Sequence, residues 1–468
     1  MSDRVPSPEE ENILGLTAFD SLRAEDEPWL DECFVLPPGM DQITGDGSSL
    51  IFGVPGSGKT ALYQHLLRCS LGPDGRPRRL IVPWRPSPGD QRDSGGLAAE
   101  RVQMAEILDT CVTALLTHLT RYPDSLQAMP PLARETLAWF AQGRYRGETT
   151  ASFPRLVGGT TIDETLLRSL LETPAPDVLY PDASPEQMAA ELIEAIVPLG
   201  LEGIWVMADG LEAWAELAYE ELVAGLKAFL STLPLFERPH FSYKLFIPAD
   251  LEPALAGVSA VIRRRVAAHY LRWDVPSLRC LVEQRLALAT GQNDLTLEKL
   301  CSSPKLIPWL EKVGPDSPRE WLDQLQPLVK HYLSHHLREP VDEKTWYKLR
   351  KEHPPRIYVD EAGKRVLVGA RQISLEDVPP RAYDILRYLY QQPGGRVVSK
   401  AELYFLAYLG LDHLPRTPGD EGYEARKEYE GVIDTNLWRL RQAIEPDPSV
   451  PVLLVTVRGH GVQLKARW

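Results

Sequence analysis

Long apolar runs are missing from this chain. The opening segment Met1-Ser-Asp-Arg-Val-Pro-Ser-Pro-Glu-Glu-Glu-Asn12 offers nothing that could act as a secretory signal, and no later run reaches bilayer-spanning length. A soluble, cytoplasmic protein without a membrane partner is therefore expected. Cysteine is scarce: Cys33, Cys69, Cys111, Cys280 and Cys301 are odd in number and widely spaced, with no CxxC pair and no His-rich neighbour. A zinc site or a disulfide framework needs clustered ligands, so this spacing argues against both and fits a reduced compartment.

Positive charge is also short, with 51 Lys and Arg against 65 Asp and Glu, a net charge of -14. That balance is wrong for a nucleic-acid binder until it is divided along the chain. From Trp346 to Trp468 there are 19 Lys and Arg against 16 Asp and Glu, so the surplus of acid lies before Trp346. Contact with polyanionic DNA would fall to the C-terminal part, while the acidic body would be repelled. The 468 residues, 44% hydrophobic and 25% charged, suit about three folding units of an ordinary globular kind.

The strongest motif is Gly53-Val-Pro55-Gly56-Ser57-Gly58-Lys59-Thr60, which satisfies G-x-x-x-x-G-K-[ST]. The apolar run Leu50 to Phe52 before it reads as a buried strand, and Ala61 to Arg68 after it has helical spacing. Glycines let backbone N–H groups curl around phosphate oxygens where a side chain would clash, and the helix N-terminus adds positive potential. Lys59 would reach the β- and γ-phosphates, and the Thr60 hydroxyl would complete the coordination of Mg²⁺.

Such a loop needs an acid on a second strand. Leu201-Glu-Gly-Ile-Trp-Val-Met-Ala-Asp-Gly-Leu-Glu212 supplies one, with Ile204 to Ala208 as a central parallel strand and Asp209 at its C-terminal end, where ligands bind in such sheets. Asp209 is the candidate Walker B carboxylate and second metal ligand. Many related ATPases carry an acid directly after it, to orient or deprotonate the attacking water. Here that position is Gly210, and Glu212 is the next candidate; a solvated Glu at a helix N-terminus is its plainer reading. The strand Tyr243 to Ile247 ends in Pro248, which cannot sense a γ-phosphate, so slow hydrolysis is expected. Arg263-Arg264-Arg265 read either as a source of an arginine finger or as a basic helix face.

Together with Arg23-Ala-Glu25, Leu271-Arg-Trp-Asp274 and Gly314-Pro-Asp-Ser-Pro-Arg319-Glu-Trp-Leu, these motifs make residues 12–338 resemble the STAND branch of AAA+-like P-loop ATPases. The resemblance implies bound ATP or ADP with Mg²⁺, a helical lid in which Arg319 senses nucleotide, and assembly into a homo-oligomer. A helical, partly Pro-rich stretch at about 101–200 interrupts the core, with no functional reading attached to it.

From Pro355 the pattern changes. Arg356 to Val359 and Arg365 to Val368 alternate around a turn, and Gln372 to Leu375 follows as a third strand. Pro380 to Gln391 and Lys400 to Ala407, the latter behind an N-cap at Ser399, read as helices, and Gly431 to Glu445 as a third. Val452 to Val457 and Val462 to Leu464 then bracket the basic tip Arg458-Gly-His-Gly461. Strands, three helices and a terminal hairpin make a winged helix, whose third helix can enter the major groove. The segments Val397 to Leu403, Val432 to Arg441 and Val455 to Gly461 closely resemble the OmpR/PhoB-type output domain of response regulators. Thr435, Asn436, Arg439 and Gln442 are the expected DNA-facing residues, with Arg458 at the wing and Leu437, Leu440 and Ile444 in the core; Trp438 fits either face. Val462 stands where the family has Tyr. The loop before the third helix is acidic, which suits a protein such as RNA polymerase better than phosphate.

The expected fold class is α/β: a P-loop NTPase parallel sheet with a helical lid, followed by a C-terminal α+β winged-helix domain. The ATPase core is placed in 1–274, lid and linker in 275–345, and the winged helix in 346–468. The function expected is a nucleotide-controlled switch and slow ATPase that binds double-stranded DNA, most simply a transcriptional regulator. No receiver domain with a phosphorylatable Asp is evident, so the ATPase would be the input. Two alternatives stand beside it. One is an antiviral defence ATPase that senses nucleic acid or recruits a separate effector protein, since no nuclease, protease or TIR-like motif is visible; the other is an AAA+ loader for replication or transposition.

Overall fold

The structure, a computed structural model, describes residues 19, 23–84, 96–127, 129–145, 163–173, 184–231, 238–257, 266–335, 339–360, 365–374, 376, 378–422 and 429–465. The three arginines at 263–265 and most of the Pro-rich stretch, residues 174–183, lie outside them. The chain forms two compact units, one of residues 36–272 and one of residues 1–35 together with 273–468.

The first unit is built on five parallel strands: β1 (Ser49–Gly53), β2 (Arg79–Pro83), β3 (Gly203–Ala208), β4 (Phe241–Pro248) and β5 (Ala267–Tyr270), in the order β2-β3-β4-β1-β5. β1, β3 and β4 are buried along their whole length, as the unbroken apolar runs Leu50 to Phe52, Ile204 to Ala208 and Leu245 to Ile247 require of strands covered on both faces. The order puts β4 between β1 and β3, with Pro248 beside Gly53 in register.

Helices α1 (Lys59–Cys69), α2 (Gly96–Arg121), α3 (Pro131–Tyr145), α4 (Glu164–Glu172), α5 (Pro185–Ile196) and α6 (Glu212–Ser231) surround this sheet. Most of these helices come from the stretch that interrupts the motif pattern, yet they are no appendage. Leu108, Cys111, Leu115, Leu119, Phe140 and Leu192 share one core with Leu50, Val82, Ile204 and Tyr243. Burial of each large apolar side chain contributes about 1.5–3 kcal/mol, so the sheet depends on these helices for its cover.

The second unit joins a helical segment to an α+β module. The helical segment comprises α7 (Val275–Thr290), α8 (Leu306–Val313), α9 (Pro318–Ser334) and α10 (Glu343–Glu352). Their starts follow capping chemistry: the side chains of Asp274, Ser317 and Asp342 accept from the backbone N–H of Ser277, Glu320 and Thr345. Residues 23–35 pack here as well. Glu27 and Arg285, 5% and 6% exposed, form a two-pronged ion pair with N···O distances of 2.9 and 2.5 Å.

The module follows as a three-stranded antiparallel sheet, β6 (Ile357–Asp360), β7 (Arg365–Val368) and β8 (Arg371–Ile373), then α11 (Pro380–Tyr390), α12 (Lys400–Glu402, continued by π-helical turns over Leu403–Tyr408), α13 (Tyr429–Ile444) and the hairpin β9 (Leu454–Val457) and β10 (Gly461–Leu464). Ser399 caps α12 reciprocally with Glu402, as its position before the helical run predicts. The module is not tethered by a loose linker: Val313, Trp321 and Leu325 of the helical segment belong to the same apolar cluster as Ile373, Ile385, Leu440 and Ile444. The Ala370 N–H donates to the Val313 carbonyl at 2.9 Å, and Lys312 Nζ to the Pro446 carbonyl at 3.1 Å. Arg350 is buried between the rings of Trp309 and Trp346, 4.2 and 4.0 Å from their centres.

Candidate functional site

Between β1 and α1 the loop runs through Val54, Pro55, Gly56, Ser57 and Gly58, with Pro55 exposed and Ser57 fully buried. Gly56 and Gly58 have φ of 81° and 96°, a region that side-chain-bearing residues rarely enter. Gly53 is needed for a different reason: a Cβ there would collide with the Ser57 hydroxyl and press on Leu271 and Lys59. Together these glycines set a tight loop directly before the N-terminus of an eleven-residue helix.

Lys59, the first residue of α1, is 5% exposed. Its ammonium donates to the carbonyls of Gly53 at 2.7 Å and Val54 at 3.1 Å, and pairs with Glu212 Oε1 at 2.7 Å. Glu212 opens α6, one turn past the end of β3, which is how two residues 153 positions apart come to meet.

Asp209 leaves β3 close to both. Burial pushes its carboxyl above the usual range; the Thr60 hydroxyl, the Gly210 amide and the charge of Lys59 pull it back, while Glu212 pushes it further up. Its Oδ1 is buried without a hydrogen-bond partner. A buried oxygen of this kind is costly unless something completes it. Thr60 and Asp209 could hold a divalent cation, and the loop amides with Lys59 could hold phosphate oxygens. Pro248 contributes no polar side chain to this end of the sheet.

Arg319 is exposed in the first turn of α9 and belongs to the second unit.

On α13, Thr435, Arg439 and Gln442 are exposed, and Trp438 joins them at 59% exposure, completing a stripe at i, i+3, i+4 and i+7. Leu437, Leu440 and Ile444 are buried beneath it. Asn436, expected among the outward residues, is only 6% exposed and donates its amide to the Val432 carbonyl at 2.8 Å. One step of 100° along the helix from Thr435 turns Asn436 inward, where its amide is satisfied by its own helix. Arg458 is exposed in the turn between β9 and β10.

No family model matches the chain. The chain is 34% identical over 89 residues to the sensory transduction protein RegX3 of Mycobacterium leprae, a stretch covering 19% of this chain and 37% of that one. The same-named protein of Mycobacterium tuberculosis strain H37Rv is 34% identical over 88 residues, covering 19% and 32%, and that of Mycolicibacterium smegmatis 34% over 100 residues, covering 21% and 36%. The chain thus spans about a third of the length of the curated relatives it matches. A solved structure of the Aeropyrum pernix ORC2 protein in ADPNP–ADP complexes aligns with 94% of both chains at 13% identity and a TM-score of 0.36.

Two features were hidden from a reading of motifs. The Glu212 contact to Lys59 joins residues that no spacing rule links, and only the strand order brings them together. Glu445, 2% exposed, accepts from the N–H groups of Val452, Leu453 and Leu454 at 2.9, 2.9 and 2.6 Å and so ties α13 to the root of the hairpin. Its place at the end of an apolar helix stripe was the available signal. Val462 is buried, and its backbone exchanges two 2.8 Å hydrogen bonds with Val398, so this position serves packing and strand pairing in this chain. Among the described residues no cluster of His, Cys, Asp and Glu is arranged to hold a metal by itself, and no helix is long and apolar enough to cross a membrane.

Proposed function

We propose that the protein is a nucleotide-controlled, DNA-binding regulator: ATP or ADP with Mg²⁺ occupies the loop around Lys59, and the nucleotide state governs how the winged-helix module engages duplex DNA. The observation that carries the nucleotide part is the orphaned, buried Asp209 Oδ1 beside the Thr60 hydroxyl, under a loop in which Gly56 and Gly58 hold a backbone conformation that side-chain-bearing residues rarely adopt. Thr60 and Asp209 would hold the metal, Gly53 to Gly58 and Lys59 the phosphates, and Arg319 would sense the nucleotide from the lid formed by α7 to α9. A bound Mg²⁺ supplies charge neutralisation to the phosphates. Gly210 after Asp209 and Pro248 at the neighbouring strand end are two positions without a polar side chain to place an attacking water, which favours holding nucleotide over rapid turnover.

The DNA part is supported by the exposed stripe Thr435, Trp438, Arg439 and Gln442, by Arg458 at the hairpin tip, and by the likeness to sensory transduction proteins. Coupling is supported by the core that the lid helices share with the module: a displacement of one carries the other. In the cytoplasm, with self-assembly and a protein such as RNA polymerase as a further partner, this device acts as a transcription switch in which the ATPase is the input.

The test is DNA affinity measured with MgATP, MgADP and no nucleotide across a salt series, for the intact chain and Lys59→Ala. Nucleotide should change the affinity of the intact chain and leave that of Lys59→Ala alone. Equal affinities throughout would overturn the coupling. Sequence-independent duplex binding that stimulates ATP turnover would favour a defence ATPase or a loader instead.

A further inference from the structure

We infer that Glu212 is a latch on Lys59, which an incoming polyphosphate must displace, and is not the group that activates water. The inference rests on the reading of the Lys59 loop as a nucleotide site and assigns Glu212 a role within it.

A lysine ammonium has three N–H donors and no acceptor. In this structure Lys59 has three oxygens around it: the Gly53 carbonyl at 2.7 Å, the Val54 carbonyl at 3.1 Å and Glu212 Oε1 at 2.7 Å. Its donors are therefore fully committed, and its side chain is only 4% exposed. A phosphate oxygen can receive a hydrogen bond from this ammonium only by replacing one of the three. The two carbonyls belong to the loop that would wrap the phosphates and cannot leave without unfolding it. Glu212 can leave: its side chain is one-third exposed, at the first turn of α6, with solvent available on release.

The exchange has a definite energetic sense. Lys59 trades one anionic partner for another, so the ligand's gain from the ammonium is reduced by whatever the Glu212 pair is worth. The pair also keeps a buried cation compensated while no anion is bound. The Glu212 oxygen that meets the Lys59 ammonium at 2.7 Å is already occupied by that contact and is not open to take a proton from water.

Calorimetric titration of the full chain with MgATP and with MgADP, for wild type, Glu212→Gln and Glu212→Ala, tests this. Both variants should bind both nucleotides about fivefold tighter than wild type, the scale of a partly exposed ion pair. Two variants with different side chains guard against one that folds poorly. A gain confined to MgATP would overturn the latch, because it would mean only that Glu212 repels a γ-phosphate. Unchanged or weaker affinity would also overturn it. If Glu212 activates water, Glu212→Gln instead leaves affinity alone and slows single-turnover hydrolysis about 100-fold or more. No uptake of either nucleotide by the wild type at millimolar concentration would overturn the nucleotide-site reading itself, a separate result from a latch that fails.

Discussion

Glu445 shows how one side chain can hold two elements. Its two oxygens take three backbone N–H groups of the chain entering β9. Glu445→Ala leaves these donors buried without partners and should cost about 3 kcal/mol or more, read as a lower midpoint in urea unfolding. Burial raises this carboxyl, with the Leu454, Val452 and Leu453 amides and the charge of Arg441 acting against it. A carboxyl whose pKa is higher folded than unfolded contributes stability that is complete below the ordinary carboxylate range and is lost as pH rises through the raised value. The melting temperature of wild type should therefore fall relative to Glu445→Gln on going upward from about pH 4, and parallel curves would refute this assignment. At this scale the sequence was informative wherever local rules act. The loop glycines, the cap at Ser399 and the core positions Leu437, Leu440 and Ile444 all lie where their chemistry puts them. The partners of Glu212 and Glu445 were out of reach because tertiary structure sets them.

Helix α13 carries both faces of the module within four turns. The outward stripe is set by the 100° step of the helix, and the same step moves Asn436 to the inner side. This separates two kinds of effect. Arg439→Ala and Gln442→Ala should each weaken specific DNA binding by about 1–3 kcal/mol without lowering the melting temperature, as loss of a base or phosphate contact does. Asn436→Ala should do the reverse: little change in DNA affinity and lower stability. Electrophoretic mobility shifts and thermal melts on the same preparations would check this, and a large DNA defect in Asn436→Ala alone would reverse the assignment of faces. Helical periodicity could mark the buried leucines, but not Asn436, because a polar residue at the edge of an apolar stripe reads the same whether its amide faces water or its own backbone. The parallel strands were legible as unbroken apolar runs, and their order was not, since strand order depends on crossovers far apart in sequence.

At the scale of the molecule, the close fit between helical segment and module is the feature that motif reading missed. The two meet closely at Gly369, at φ 60°, where a Cβ would collide with the Val313 carbonyl. Gly369→Val should push β7 and β8 away from α8 and break the Ala370 to Val313 hydrogen bond, at a cost of about 2 kcal/mol or more. If the shared core transmits the nucleotide signal, this variant binds DNA with an affinity that no longer depends on MgATP, while nucleotide uptake itself is preserved. Retained nucleotide dependence would mean that the signal takes another route. The P-loop sheet and the order of strands, helices and hairpin near the C-terminus were readable because each has its own local period. That the helices before the module share its core was not, because apolar residues on neighbouring segments do not announce which surface they cover.

The unit that contains the module is discontinuous in sequence, its first part separated from the rest by the whole of residues 36–272. Glu27 is thus synthesised more than 250 residues before Arg285, the cation that neutralises it. During translation the parallel-sheet unit can close on itself while the early segment waits, solvated and unpaired, for its docking helix to emerge. Cleavage of the chain within residues 36–272 would therefore sever the covalent link between the two parts of this unit.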